Sequence, residues 1–288
     1  MTDRTGAADV NDFSTTGRAP GAPGAPCWTS LRTRGLGVAH DFYGPLLGWE
    51  FTPGKGGPLR ELIATAQGRP VAGIGLLPAG AGLTPEWTPF LTADDIDSAA
   101  LAVRQCGGTM GVGPLDDAEG GRVAFCSDPA GAVFGMRRLP RAYPPPAPGL
   151  PGTPAWLELV VAETRSAVRF YQSVFGLGRE TAPSPAEERV VLRHAGRPVL
   201  GIRGAGLSVH RAGGAHWTTY FATSDVDRAT EHAVALGGRI SRPPTNGLNG
   251  RSAQLTDPDG APFGLLTPAA TRAERNTADA RGTRVASA

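Results

Sequence analysis

The sequence predicts an α+β protein assembled from four βαβββ modules in two tandem halves. Three observations support this: a series of motifs occurs twice in the same order, helical periodicity returns only once every three or four strands, and a proline-rich seam separates the two copies. Wide spacing of the helices argues against a doubly wound sheet, in which a helix follows nearly every strand.

The seam is 141–154, RAYPPPAPGLPGTP. Proline fixes φ and removes a backbone donor, so this stretch cannot join a central sheet and reads as a semi-rigid spacer. On either side of it Phe42-Tyr43 recurs as Phe170-Tyr171, and Gly68-Arg69-Pro70-Val71 recurs at the same offset as Gly196-Arg197-Pro198-Val199. Trp87-Thr88 matches Trp217-Thr218, Gly107-Gly108 matches Gly237-Gly238, and Asp128-Pro129 with Phe134-Gly135 matches Asp257-Pro258 with Phe263-Gly264. The expected boundaries are an arm at 1–26, a first domain at 27–140, a linker at 141–153, a second domain at 154–268 and a tail at 269–288, with arm and tail expected to be disordered.

Along the chain, 26–33 (PCWTSLRT) reads as a strand, and Val38, Phe42 and Leu46 then fall at helical spacing before Gly48. Strands at 49–51, 61–66 and 70–77 complete the first module. A second begins with the strand 87–92; Asp94 or Asp95 can cap a helix burying Ile96, Ala99, Ala100 and Val103, and strands at 109–112, 122–127 and 132–137 follow. The second half repeats the order: a strand at 156–161, a helix at 165–175 with Val168, Tyr171 and Phe175 inward, and strands at 190–193 and 199–203. After these come a strand at 217–223, a helix with Val226, Ala229, Ala233 and Leu236 on one face, and strands at 251–256 and 262–266.

Composition narrows the function classes. A chain of 288 residues, 40% of them hydrophobic, can bury two cores of ordinary domain size. The net charge is +2, Lys55 is the single lysine, and no basic run interleaved with aromatics points to nucleic acid. Arginine, alanine, glycine and proline usage reads as the codon bias of a GC-rich genome. Cys27, Cys106 and Cys126 lack the spacing of a disulfide framework or a zinc site, and the histidines have no zinc-binding spacing. Neither a leader nor a membrane-length apolar run is present, so a soluble cytoplasmic protein with no membrane partner is expected.

The segments FYGPLLGWEF and FYQSVFGL, WTPFLTADDID and WTTYFATSDVD, and DPAGAVFG and DPDGAPFG resemble the vicinal oxygen chelate superfamily, which includes glyoxalase I, extradiol dioxygenases and bleomycin resistance proteins. The resemblance implies that the modules pair into two glyoxalase-like domains with cup-shaped sheets. In the metalloenzymes of that family His, Gln or Glu ligands sit on the first strand, on the strand opening the second module and on the last strand of each cup. Those slots align here with Trp28, Thr88 and Gly135, and with Trp156, Thr218 and Gly264; a fourth falls at Gly75 and Arg203. Indole and glycine supply no ligand, threonine is a poor one and arginine repels a cation, so no metal or other cofactor is expected in either cup.

Alternation along the strands places Ser30 and Arg32 on the face of Trp28, Phe90 beside Thr88, Glu158 beside Trp156, and Tyr220 beside Thr218. These residues form the candidate substrate-binding set, an aromatic floor with sparse polar groups suited to a flat or polycyclic molecule. Glycine at 135 and 264 is read as leaving room for a ligand to approach the backbone. Core filling is the competing reading of the tryptophans. Glu158, whose counterpart in the first half is Ser30 rather than an acid, is the candidate polar anchor or general base. Arg122 and Arg251 read as structural partners near the Asp-Pro turns.

Two functions stay open. One is sequestration of an aromatic or polycyclic metabolite in antibiotic self-resistance or natural-product metabolism. The other is a metal-independent cyclase, isomerase or hydrolase using Glu158, Tyr220 or His216 as acid and base. A metal-dependent dioxygenase, lyase or glyoxalase is the third and least favoured. The fused halves suggest a monomer with an internal pseudo-dimer, a homodimer being the alternative.

Overall fold

The computed structural model describes residues 22–54, 61–78, 80, 82–116, 121–138, 149–181, 188–211, 213–247 and 249–269. The predicted tail beyond residue 269, most of the arm and spacer residues 141–148 lie outside them. The first half contains β1 (Pro26–Thr33), α1 (Leu36–Leu47), β2 (Glu50–Pro53), β3 (Leu62–Ala66), β4 (Arg69–Leu76), β5 (Glu86–Thr92), α2 (Ile96–Gln105), β6 (Thr109–Asp116), β7 (Arg122–Ser127) and β8 (Val133–Arg138). The second contains β9 (Pro154–Val161), α3 (Thr164–Phe175), β10 (Gly178–Thr181), β11 (Arg189–His194), β12 (Arg197–Gly204), α4 (Ser208–Arg211), β13 (His216–Ala222), α5 (Val226–Ala235), β14 (Arg239–Gly247), β15 (Gly250–Thr256) and β16 (Pro262–Pro268).

Each half forms its own eight-stranded sheet, in the orders β2-β3-β4-β1-β5-β8-β7-β6 and β10-β11-β12-β9-β13-β16-β15-β14. The first strands of the two modules, β1 and β5 or β9 and β13, pair antiparallel at the centre, and each is parallel to the last strand of its own module. Sequence periodicity missed β10, the short α4 and β14. The last carries Pro243 and Pro244 and is exposed along most of its length, as an edge strand can be but a buried one cannot. Among the described residues no helix is long and apolar enough to cross a membrane.

The helices do not pack on their own half alone. One core joins Ile96, Ala99, Ala100 and Val103 of α2 to Phe170, Tyr171 and Phe175 of α3, and the other joins Phe42 and Tyr43 of α1 to Val226 and Ala233 of α5. Hence the first module of each half shares its core with the second module of the other. This explains a correction in α1: Ala39, Phe42, Tyr43 and Leu47 are buried while Val38 is exposed, because the face presented to the other half is set by the Phe-Tyr pair.

The repeated motifs meet across this junction. Tyr43 Oη donates to Asp257 Oδ2 at 3.1 Å and accepts from Trp87 Nε1 at 2.9 Å; Tyr171 Oη donates to Asp128 Oδ2 at 3.1 Å. Phe170 lies against Gly108 and Phe42 against Gly238, where a Cβ would stand 2.9 Å and 3.1 Å from the respective rings. The preceding glycines, Gly107 and Gly237, take φ of 85° and 93°, the left-handed turn that follows each helix. Trp49 Nε1 donates to the Gly152 carbonyl at 2.7 Å, and Thr29 Oγ1 meets Thr219 Oγ1 at 3.4 Å between the sheets. Arg122 and Arg251 bind Asp97 and Asp227 at the starts of α2 and α5, so they do not serve the Asp-Pro turns as the sequence suggested. The turn aspartates instead accept from backbone N–H groups of Ala130 and Ala132, and of Ala261.

Burial, then the neighbouring Asp257, pushes the Tyr43 phenol well above its ordinary value, so it remains a donor. Tyr43→Phe therefore leaves Trp87 Nε1 and Asp257 each short of a buried partner, with an expected cost of about 1–3 kcal/mol. Thermal melting should show a lower midpoint for this variant and for Tyr171→Phe; an unchanged midpoint in both would remove the reciprocal bonds from the account of how the halves are held.

Candidate functional site

On the face of each sheet turned away from the helical cores lies a smaller aromatic cluster. In the first half Trp28 and Phe90 pack with Val123, Ile63 and Phe125; in the second Trp156 and Tyr220 pack with Val191 and Leu266. The register explains the grouping. Trp28 faces Phe90 and Ser30 faces Thr88 across β1 and β5, while Trp156 faces Tyr220 and Glu158 faces Thr218 across β9 and β13. Leu31 and Leu159 of the same strands join the helical cores instead, as alternation requires.

The glycines at the slots on the last strands do not leave room. Gly135 is registered beside Phe90 and Gly264 beside Tyr220, and a Cβ on either would run into the neighbouring ring. The rings thus lie flat over bare backbone, and the space that the sequence assigned to a ligand is filled by the protein itself.

Among the described residues each cup also holds a buried carboxylate among guanidinium groups; the first half has Ser30 at the Glu158 position, as expected, but an acid the sequence did not single out stands elsewhere in its cup. In the first cup it is Glu61, whose Oε1 lies 3.4 Å from Arg32 Nη2. Gly73 and Gly75 are necessary to this pair: a Cβ on Gly73 would collide with the Glu61 carboxylate, and one on Gly75 with the Arg32 guanidinium. Arg137 sits over the Trp28 ring, 5.4 Å from its centroid, within cation–π range. In the second cup Glu158 Oε1 is 3.2 Å from Arg189 Nη1, and its Oε2 accepts from Arg203 Nε at 3.3 Å and from Tyr220 Oη at 3.4 Å. Gln254 Nε2 donates to Tyr220 Oη at 2.6 Å.

The carboxylates occupy different places in the sheets, Glu61 directly before β3 and Glu158 within β9. At the offset relating the two Phe-Tyr pairs, Glu61 corresponds to Arg189, Ser30 to Glu158 and Gly75 to Arg203. One half thus carries an acid where the other has an arginine, and a serine where the other has its acid. Glu61, Arg137, Arg189 and Gln254 were missed because the strand slots were read one by one. Their signal was alternation with Ile63, Gly135, Val191 and Ser252. His216 opens β13, and its Nδ1 lies 2.9 Å from the Gly214 carbonyl, a turn contact rather than one with Glu158.

Electrostatics separate the cups. Burial raises the Glu61 carboxyl above its ordinary value, while Ser30, Arg32, Arg137 and Trp28 pull it down. Burial, then Glu158, raises the Tyr220 phenol, so Tyr220 stays protonated and serves as a hydrogen-bond donor rather than a ready proton source. A divalent metal finds no donor set in these residues. Each cup offers one carboxylate beside positive guanidinium groups, and no cluster of three or more His, Cys, Asp or Glu side chains suited to an ion exists among the described residues.

The family model described as the Glyoxalase/Bleomycin resistance protein/Dioxygenase superfamily matches residues 153–265. CFP32 of Mycobacterium bovis is 33% identical over 255 residues, covering 85% of this chain and 95% of that protein. The anthracycline biosynthesis protein DnrV of Streptomyces peucetius is 32% identical over 262 residues, covering 85% and 94%. Among solved structures the 2,3-dioxygenase LapB from Pseudomonas sp. KL28 matches with a TM-score of 0.60 at 13% identity, covering 87% of this chain and 94% of that one. The Mn(II)-bound glyoxalase from Novosphingobium aromaticivorans gives 0.59 at 14% identity, covering 87% and 86%. These structural likenesses bear on the fold.

Two predictions test the site's packing and charge. Gly264→Ala should force the Tyr220 ring off its seat and cost about 1–3 kcal/mol, visible as a lower melting midpoint. For Glu61, a folded value raised above the unfolded one contributes stability that is present below the unfolded value and lost as pH rises through the folded one. Glu61→Gln, neutral throughout, should therefore melt higher than wild type at neutral pH, with the advantage vanishing in acid. An advantage that grows in acid would reverse the sign assigned to Glu61.

Proposed function

Because the chain belongs to the Glyoxalase/Bleomycin resistance protein/Dioxygenase superfamily, we propose that it binds a small aromatic or polycyclic metabolite in a cup without a divalent metal, in natural-product metabolism or self-resistance. The observation that carries this reading is the content of the slots, where Trp28, Thr88 and Gly135 stand in one half and Trp156, Thr218 and Gly264 in the other. Aromatic side chains and flanking guanidinium groups replace the oxygen and imidazole donors that a metal needs. Such a lining gives stacking area with a few polar groups to orient a flat ligand. The relatives DnrV and DauV, both named for anthracycline biosynthesis, support the natural-product setting.

A second reading rests on the contact between Tyr220 and Glu158 at 3.4 Å, an acid–base pair that could move a proton on a bound substrate. In it Tyr220 donates and Glu158, held between Arg189 and Arg203, accepts.

Protein purified without an affinity tag should contain iron, manganese, nickel and zinc far below one equivalent. Incubated with small-molecule extract from its source, it should retain an aromatic compound of unchanged mass and retention time. A stoichiometric metal would overturn the metal-free reading, and a compound returned altered would move the choice to the enzyme.

A further inference from the structure

We propose that the junction between the halves is keyed by Asp259, so that a first half closes on a second half and not on the first half of another copy of the chain. The surface concerned is the helix-bearing face of each half. The partner it fits is the unlike half, and the partner it rejects is a like half from a second copy.

The need for a key follows from the duplication. Each half carries both members of the repeated contact, a Phe-Tyr pair on its first helix and a Gly-Gly pair with an Asp-Pro turn in its second module. Two first halves from separate chains could therefore close on each other around a twofold axis with the same residues, and so could two second halves. The Phe-Tyr contact gives no preference among these pairings. Covalent linkage favours the pairing within one chain only by raising the local concentration of the tethered half. Discrimination has to come from contacts that differ between the two junctions.

Asp259 makes such a contact. Thr33 Oγ1 and the Arg34 backbone N–H each donate to Asp259 Oδ2 at 2.6 Å, and Arg34 Nη1 donates to Oδ1 at 3.1 Å and to the Asp259 carbonyl at 3.0 Å. Burial pushes the Asp259 carboxyl up, but the bonds from Thr33 and Arg34 outweigh it and hold the group below its ordinary value, so the acceptor is ionised at neutral pH. The Arg34 side chain is largely exposed and adds little; the hydroxyl and N–H bonds to the carboxylate form the stronger part of this clasp.

The other junction has no means to copy it. At the offsets that relate the repeats, Asp259 corresponds to Ala130, and Thr33 and Arg34 correspond to Val161 and Ala162. Two first halves would set Thr33 and Arg34 against Ala130, and two second halves would set Asp259 against Val161 and Ala162. Either like pairing loses the clasp. Packing acts in the same direction: Trp49 meets Phe221 edge to face at 5.3 Å, and the equivalent positions hold Leu177 and Leu91. A tryptophan thus meets a phenylalanine there only between unlike halves.

The test is the dimer fraction of the full chain after refolding from denaturant over a range of protein concentrations, read by sedimentation. Two wild-type monomers hold two clasps, and a like-paired dimer holds none. In Asp259→Ala neither arrangement holds any, so its dimerisation constant should exceed that of wild type by about tenfold or more. Tyr43→Phe is the control. It removes as many bonds from two monomers as from a like-paired dimer, so it should lower the melting midpoint without raising the dimer fraction. Combining Ala130→Asp with Asp259→Ala gives the first half both sides of the clasp and should raise the dimer fraction further. A dimer that rises equally in Asp259→Ala and Tyr43→Phe would show that lost stability alone opens the junction, and would overturn the inference. So would a chain that stays monomeric in both Asp259 variants, or a wild type that dimerises as readily as Asp259→Ala. Should the combined variant not refold, an unchanged dimer fraction in Asp259→Ala is enough to overturn it.

Discussion

The architecture depends on one contact made twice. A Phe-Tyr pair on the first helix of each half meets a Gly-Gly pair and an Asp-Pro turn in the second module of the other. The phenylalanine packs where only a glycine leaves space, and the tyrosine closes on an aspartate that the turn has already bonded to its own backbone N–H groups. Low dielectric strengthens such a bonded set and makes each unpaired member costly. Neither helical core is complete without both halves, so the duplication behaves as one folding unit and not as two beads on a spacer. The proline-rich seam need only span the distance, and Gly152 at its end is already tied to Trp49 of the first half.

Committing the helix-bearing face of each sheet to this junction leaves the opposite face for other work. There the two halves diverge in chemistry while keeping the same backbone. Glycines that would be weak points in a strand are covered by rings from the adjacent strand, Phe90 on Gly135 and Tyr220 on Gly264, which restores apolar contact that a bare residue lacks. Gly73 and Gly75 are covered differently, by a carboxylate and a guanidinium. The same device, a residue without Cβ, thus seats an aromatic ring in one place and an ion pair in another.

Much of the fold could be read from the sequence because it was written twice. The strand at 26–33, the helix capped by Asp95 and the buried positions of α2 follow from local patterns that the structure reproduces. β14 could not be read that way, since an exposed, proline-bearing edge strand has no hydrophobic alternation to show. Val38 misled for a different reason: the phase of α1 is set by tertiary demand from the other half. In the site, alternation placed Trp28, Ser30, Glu158 and Tyr220 on their faces. It missed Glu61, because an acid at the head of a strand looks like a solvated turn residue until the glycines facing it are known to be bare.

The different placement of the acid in the two cups links these threads. Glu61 and Arg189 occupy equivalent positions, as do Ser30 and Glu158. Where the acid stands on the central strand it reaches arginines on β11 and β12 and a tyrosine on the adjacent β13. Where the acid stands just before β3 it reaches Arg32, with Ser30 and Trp28 of the central strand beside it. A network satisfied from within rigidifies its sheet. The backbone is common to both cups, so the difference between their polar networks comes down to where in the sheet the carboxylate stands.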